Sequence, residues 1–492
     1  MEKVPCYGVF SLGLNLEELP ENPFDVGFII KFYAIFKKGN RSLTSYGFYD
    51  GGNSYRIRFM PDAVGEWEYE VFSEIEGLNG QKGRFVCTQA EDGNHGVARV
   101  RGLHFAYDDG TPLYPIGTTC YAWVHQPKEL REQTLKTLSE NGFKKIRMCV
   151  LPKHYDFNRN DPEIYPFLGD KENGFMYDRP NPEFYNLFEE QIVELGKLGI
   201  EADLILFHAY DNWGFAKMDE QCNHRYLRYC VARLACYGNV WWSLANEYDL
   251  MRHLNTSDWE GFAKVIKETD YADHLLGIHN CSGFYNHSRP WVSHLSLQRK
   301  DVYKTTENTN KWIEEYGKPA CLDEIGYEGD INWGWGNLTA EELIRRSWEC
   351  YVRGGYPGHG ETYLSDDEVL WWSKGGILKG ESPARFKFLA KFNEETGPIS
   401  YLPKRSPWDV PIGGVEGKVY VAYFGFNRPR FREFYSTHPF LSATNMPDGK
   451  YKVEVIDTWN MTIKDIGELP HDKLRIDLPG KQYMAVRLTK LS

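Results

Sequence analysis

Between residues 112 and 397 eight short apolar runs alternate with amphipathic stretches of helical period. That alternation restricts the fold to βα units around a parallel sheet. Strands are predicted near 113–118, 144–150, 202–207, 240–245, 274–279, 292–296, 319–324 and 356–361. Helices are predicted near 126–141, 181–199, 219–237, 256–271, 301–316, 338–353 and 384–395. The segment 280–291 is too short and too rich in turn residues to supply an eighth. Eight strands over this span fit a (β/α)8 barrel, which takes roughly 250 residues. A doubly wound open sheet would need a glycine-rich phosphate loop after its first strand, and Gly117-Thr118-Thr119-Cys120 is not one.

The flanks read differently. Before residue 95, runs such as Phe28 to Phe36 and the alternating Gly65-Glu66-Trp67-Glu68-Tyr69-Glu70-Val71-Phe72 are separated by turn residues such as Asp50-Gly51-Gly52-Asn53. After residue 398, Val419 to Phe424, Lys450 to Asp457 and Tyr483 to Leu488 read as strands again. The expected class is therefore α/β: a (β/α)8 TIM barrel at 96–397 between antiparallel β-sandwich domains at 1–95 and 398–492. The turn Asp108-Asp109-Gly110 reads as a hairpin leading into the barrel.

The net charge of −12 and the lack of any long Lys/Arg run argue against nucleic acid or an anionic membrane as partner. No stretch approaches the roughly 20 apolar residues of a membrane helix. The N-terminus MEKVPCYGVFSLGL lacks a leader-like apolar region. The ten cysteines are scattered singly, which fits small core residues and a reducing cytoplasm. With 15 Trp, 32 Tyr and 28 Phe, the chain is rich in flat side chains suited to core packing and to stacking on sugar rings.

In such a barrel reactive groups gather at the C-terminal ends of the strands. The fourth strand ends Ser243-Leu244-Ala245-Asn246-Glu247, and the seventh ends Cys321-Leu322-Asp323-Glu324. These ends face one another across the barrel mouth, so Glu247 and Glu324 can flank one glycosidic bond, while the Asn246 amide holds a sugar hydroxyl. Simple strand alternation sends Asp323 to the other side. The acid partner needs a raised pKa, from the other carboxylate and from an apolar wall that Trp241, Trp242, Trp371 and Trp372 would supply. Arg147 on strand two would orient Glu324. His208 after strand three, His279 after strand five and His294 at strand six read as binders of substrate hydroxyls. So do Glu361 on strand eight and Tyr121, Trp123 and His125 after strand one. A Trp at 371 or 372 would form a stacking floor. Three His at barrel mouths also raise a metal site, but no His-x-His follows strand one; no metal and no cofactor are expected.

The run Tyr226 to Leu234, continuing through Asn239 to Asp249, resembles the apiosidase-like barrel family of bacterial glycoside hydrolases, as do Tyr107-Asp108-Asp109-Gly110-Thr111-Pro112 and Gly117-Thr118-Thr119. The flanks resemble the uncharacterised sandwich domains that accompany this barrel. The resemblance implies the retaining clan A, in which the Glu after Asn at strand four is acid/base, here Glu247. The Glu at strand seven is the nucleophile, here Glu324. Together these readings predict a retaining hydrolase of oligosaccharides or glycosides in a bacterial cytoplasm, with flanks that narrow the cleft or pair subunits into a homo-oligomer. The rivals are a carbohydrate-binding protein without catalysis and a metal-dependent hydrolase on the same barrel.

Overall fold

The computed structural model describes residues 1–298, 306–403, 409–434 and 446–491. Its centre is a sheet of eight parallel strands: Gly117–Thr119, Lys145–Cys149, Glu201–Phe207, Val240–Ala245, Leu276–Gly277, Leu295–Gln298, Ala320–Glu324 and Tyr356–His359. Numbered one to eight along the chain, they lie in the order 5-4-3-2-1-8-7-6. A parallel bridge from His279 to Ser296 joins strand five to strand six and closes the ring. Each predicted strand is present, though strand one is shorter. Pro115 has no N–H to give to a ladder, and Pro112–Leu113 pairs with Phe105 and Ala106 of the preceding hairpin.

Seven helices surround the ring: Lys128–Glu140, Pro182–Lys197, Glu220–Leu234, Thr256–Thr269, Thr309–Tyr316, Ala340–Tyr351 and Ser382–Thr396. No helix fills 280–291. Residues 301–305 of the predicted fifth helix lie outside the described residues. The helix starts are written in the sequence. Asn181 caps Glu183 ahead of Pro182, Asp219 caps Cys222, and Asn255 with Asp258 forms a capping box.

Strand alternation sorts the two faces. Ile146, Met148, Ala202, Leu204, Leu206, Val240, Trp242 and Leu244 belong to the main apolar core shared with the helices. Trp242 donates outward to Asp270 at the end of helix Thr256–Thr269 (2.9 Å). Trp241 points inward at the opposite end of the barrel from the mouth. It donates to Glu201 (2.9 Å) and packs against Phe105 of the entry hairpin, with ring centroids 5.1 Å apart. Neither Trp241 nor Trp242 walls the mouth, contrary to expectation.

Charge fills the barrel interior. Lys145 Nζ donates to Asp203 and Asp323, both at 2.7 Å. One layer nearer the mouth, Arg147 Nη1 donates to Glu324 (3.2 Å) and Nη2 to Asn246 (2.9 Å). Burial pushes Asp323 up, but Lys145, Arg147 and His279 outweigh it and hold the carboxyl at about 2.

The N-terminal strands form one seven-stranded sheet. Strand Arg41–Gly51 pairs with Phe32–Lys38 through its first half and with Ser54–Phe59 through its second. The sheet therefore doubles over, and Phe36 stacks on Phe59 (4.0 Å) and Phe10 on Phe85 (4.4 Å). Its edge strand Glu2–Pro5 runs parallel to its neighbour, against the antiparallel expectation. The C-terminal strands make a six-stranded antiparallel sheet and a two-stranded ribbon. Trp348 of helix Ala340–Tyr351 stacks on Tyr423 of that sheet (5.8 Å). The ten cysteines are free. No described helix is long and apolar enough to cross a membrane.

Lys145→Met leaves two buried carboxylates without their cation. It lowers unfolding free energy by about 3–5 kcal/mol, seen as a lower urea midpoint with unchanged slope. A shift under about 1 kcal/mol would show that the interior charges do not hold the barrel.

Candidate active site

At the end of strand four the chain turns sharply. Glu247 has φ 54° and ψ 53°, the left-handed region that non-glycine residues rarely occupy. The turn is held on both sides: Asn246 N donates to Phe207 O (2.9 Å) and Tyr248 N to His279 O (3.0 Å). Backbone strain of this kind persists where surrounding structure over-determines it. Its effect is to keep Asn246 inside the barrel on Arg147 while presenting Glu247 to a pocket of about 300 Å3 at the mouth.

Strand seven also breaks alternation. Against strand six the register runs Leu295 to Ala320 and Ser296 to Cys321, then Gln298 to Glu324. The extra residue is a bulge, and bulges re-aim side chains. Asp323 and Glu324 both turn inward, to Lys145 and Arg147 respectively. Asp323 thus does not point away; it lies one layer below Glu324 and is bound to Lys145 and to Ser296 Oγ (2.6 Å).

Three polar groups crowd Glu324 Oε1. Arg147 Nη1 lies at 3.2 Å, the Tyr121 hydroxyl donates to it, and His279 Nε2 lies at 3.3 Å. The His279 ring is fixed from behind by Ser296 Oγ on Nδ1 (3.1 Å). Burial raises the Glu324 pKa, but His279, Arg147 and Tyr121 overcome it and hold the carboxyl well below the usual range. Glu247 goes the other way. Burial and the Glu324 charge raise its pKa, against smaller opposition from Lys153, the Tyr210 hydroxyl that donates to it, and His279. The Gln298 amide nitrogen, oriented to satisfy both its ends, donates to Glu247 Oε1 (3.0 Å) and Asn280 O (2.9 Å). The two carboxyls on the walls of one pocket are thus pushed apart, Glu324 toward its anion and Glu247 toward its acid.

The remaining wall is aromatic. Trp372 lines the pocket and touches Tyr121, Tyr155, Phe157, Tyr327 and Trp335, with ring centroids 5.0–5.8 Å apart. Its backbone carbonyl accepts from Tyr121 N (3.0 Å), which ties the strand-eight loop to strand one. Trp371 donates to Thr118 Oγ1 (2.8 Å) and packs in the helix-side core, so of the two only Trp372 lines the pocket.

Of the predicted substrate contacts, Tyr121 and Trp372 line the pocket beside the two Glu. Asn246, Arg147 and His279 lie beneath it and hold Glu324 or each other. The rest lie elsewhere. Trp123 is in the core. His208 Nε2 and His125 Nε2 are spent on Leu151 O (3.1 Å) and Cys149 O (3.2 Å). Burial pulls these two His down to about 3 and about 4. His294 packs against Trp241 at the far end of the barrel (5.1 Å). Glu361 accepts the backbone N–H of Lys379 and Gly380 (2.6 and 2.7 Å), pinning the approach to the last helix.

Sequence reasoning missed Tyr210, Lys153, Tyr155, Phe157, Gln298, Tyr327, Trp333 and Trp335, which also line the pocket. Tyr210 stood two residues beyond His208 at the same strand end. Gln298 ends strand six, and the others sit on irregular segments where no periodicity marks direction. No residue of either flanking sheet lines the pocket among the described residues. Nor do the described residues hold any group of three or more His, Cys, Asp or Glu placed to bind a metal ion.

The family model "Apiosidase-like, catalytic domain" matches residues 101–384. Models for two domains of unknown function, DUF5060 and DUF5605, match 3–74 and 408–489. A crystal structure from Bacteroides vulgatus ATCC 8482, assigned as a glycoside hydrolase, shares 35% identity over 100% of both chains with a TM-score of 0.91. A family 5 glycoside hydrolase from the same organism shares 16% identity over 81% of this chain and 94% of its own, TM-score 0.60, which is a likeness of fold. Among curated proteins no sequence matches.

Removing either tyrosine hydroxyl moves its carboxyl upward, since each stabilises the anion. Tyr210→Phe raises the Glu247 pKa further, and Tyr121→Phe raises that of Glu324. Carboxyl 13C NMR titration of glutamate-labelled protein reads both; a downward move of either overturns the arrangement.

Proposed function

The chain belongs to the apiosidase-like family and is a glycoside hydrolase; from that premise we propose that it retains anomeric configuration, with Glu324 as nucleophile and Glu247 as acid/base. The observation that carries this reading is a pair of carboxyls on one pocket whose surroundings push their pKa values in opposite directions. Environments that push two titratable groups apart assign the acid and the base.

In the first step the Glu324 carboxylate attacks the anomeric carbon, the bond to the leaving oxygen breaks, and Glu247 gives that oxygen its proton. Arg147, His279 and Tyr121 keep Glu324 ionised and aimed. Once Glu324 is esterified its charge is gone, and with it the main charge that kept Glu247 protonated. Glu247, left as a carboxylate by the proton it gave up, takes a proton from water as the water oxygen attacks the anomeric carbon and the bond to Glu324 breaks. Trp372 is the surface for the sugar ring. We take 1–95, 96–397 and 398–492 as the three units, each with its own apolar cluster. The ten free cysteines support action in a reducing compartment.

The activity–pH profile is bell-shaped. Rate falls at low pH as Glu324 gains a proton, below the usual carboxylate range, and at high pH as Glu247 loses one, above it. Glu247→Gln removes the alkaline limb. A profile whose alkaline limb survives in Glu247→Gln puts the acid elsewhere.

On aryl glycosides, product anomers followed by NMR match the substrate. Glu324→Ala abolishes turnover and azide restores it as a glycosyl azide of inverted configuration. Glu247→Ala lowers the rate by roughly 10²–10⁴, and azide gives the retained product. Activity persists with a chelator. Unchanged turnover in Glu324→Ala refutes the assignment.

A further inference from the structure

We propose that Lys153 is the receptor for an anionic oxygen group, a carboxylate or a sulfate ester, carried by the sugar that enters the pocket of Glu247 and Glu324. This deepens the hydrolase reading and rests on it.

Lys153 is 2% exposed, yet it lines the pocket. Its Nζ lies 3.5 Å from the ring centroid of Tyr121, 4.2 Å from Tyr210, 4.7 Å from Tyr155 and 5.4 Å from Trp372. Ring faces attract an ammonium, but they do not replace the water or the anion a buried charge normally keeps. Three other buried cations of this barrel have carboxylates: Lys145 has two, Arg147 has Glu324, and Arg233 has Glu189 (2.6 Å). Among the described residues no carboxylate oxygen lies within 4.0 Å of Lys153 Nζ.

The charges around it do not fill that role. Glu324 is matched by Arg147 and His279 from below. Glu247, whose pKa burial and Glu324 push upward, engages its oxygens with Tyr210 and Gln298 rather than with Lys153. Asp156, also on the pocket, is exposed at the rim. Among the described residues the floor therefore presents one amine with no carboxylate in contact with it. Burial draws the Lys153 pKa down, against the pull of Glu247 and Glu324; an anion bound against it reverses that cost.

Position selects which sugar carries the anion. Tyr121 donates to Glu324 and Tyr210 to Glu247, and Lys153 sits over both of these rings. It therefore lies between the two reacting carboxyls, where the ring being cleaved is seated, rather than along an outer part of the chain.

Isothermal titration of the wild-type protein with D-glucuronate, D-galacturonate and D-galactose 6-sulfate, beside D-glucose and D-galactose, tests this directly. The expected result is at least tenfold tighter binding of an acidic sugar; uronate against sulfate preference identifies the source. Lys153→Met erases the preference, and Lys153→Arg, which keeps the charge, restores much of it. With 4-nitrophenyl glycosides, kcat/KM favours the acidic sugar by a similar factor and loses that preference in Lys153→Met. Equal wild-type binding of acidic and neutral sugars overturns the proposal, and this holds even if Lys153→Met fails to fold. Turnover of neutral glycosides without Lys153-dependent preference overturns it while leaving the hydrolase intact. Anion-selective binding with no turnover of any glycoside supports the receptor and instead overturns the retaining mechanism.

Discussion

Two cations on strand two, Lys145 and Arg147, are buried one above the other inside the ring, and the rest of the site is arranged about them. Taking such charges out of water is expensive, and their attraction to partners offsets that only when geometry is good and every partner is engaged. Here Lys145 meets Asp203 and Asp323 at 2.7 Å, and Arg147 meets Glu324 and Asn246. Strands two, three, four and seven are thereby fixed in mutual register by contacts that tolerate little sliding. The same column that specifies the barrel places Glu324 and keeps it ionised. Folding and chemistry draw on one set of side chains, so a change at Arg147 acts on both.

Much of this was legible in the sequence. Strand periodicity located the eight strands, and the residue types at two strand ends singled out Asn246-Glu247 and Glu324. What failed was direction. Alternation placed Asp323 outward, but a bulge between strands six and seven turned it in, and a bulge depends on the neighbouring strand rather than on its own residues. Trp371 and Trp372 were indistinguishable as adjacent letters. Only the docking of their short helical turn on Thr118 and Tyr121 separates them. The histidines misled because a His near a strand end satisfies its ring equally well on a backbone carbonyl, as His125 and His208 do. Lys153 and Trp335 sit on segments without a period, where sequence pattern gives no orientation.

The flanking sheets divide labour with the barrel. The N-terminal domain is joined to helices Pro182–Lys197 and Glu220–Leu234 through Arg58 on Glu189, Arg233 on Asp50 and Arg225 on Asp25 (2.8, 3.0 and 2.5 Å). The C-terminal sheet stacks on Trp348 and sets Glu454 beside Arg487 (2.6 Å). Neither contributes to the described pocket. They cover apolar helix surface that an isolated barrel would expose to water, which is a structural service independent of the sugar bound.

The left-handed backbone at Glu247 carries a consequence for the stability of this protein. A glycine there would relax the turn and stabilise the native state, as relief of positive-φ strain does elsewhere by an amount on the order of 1 kcal/mol. Glu247 thus keeps a side chain on backbone that disfavours one, as do Tyr7 and Asp273 elsewhere in the chain.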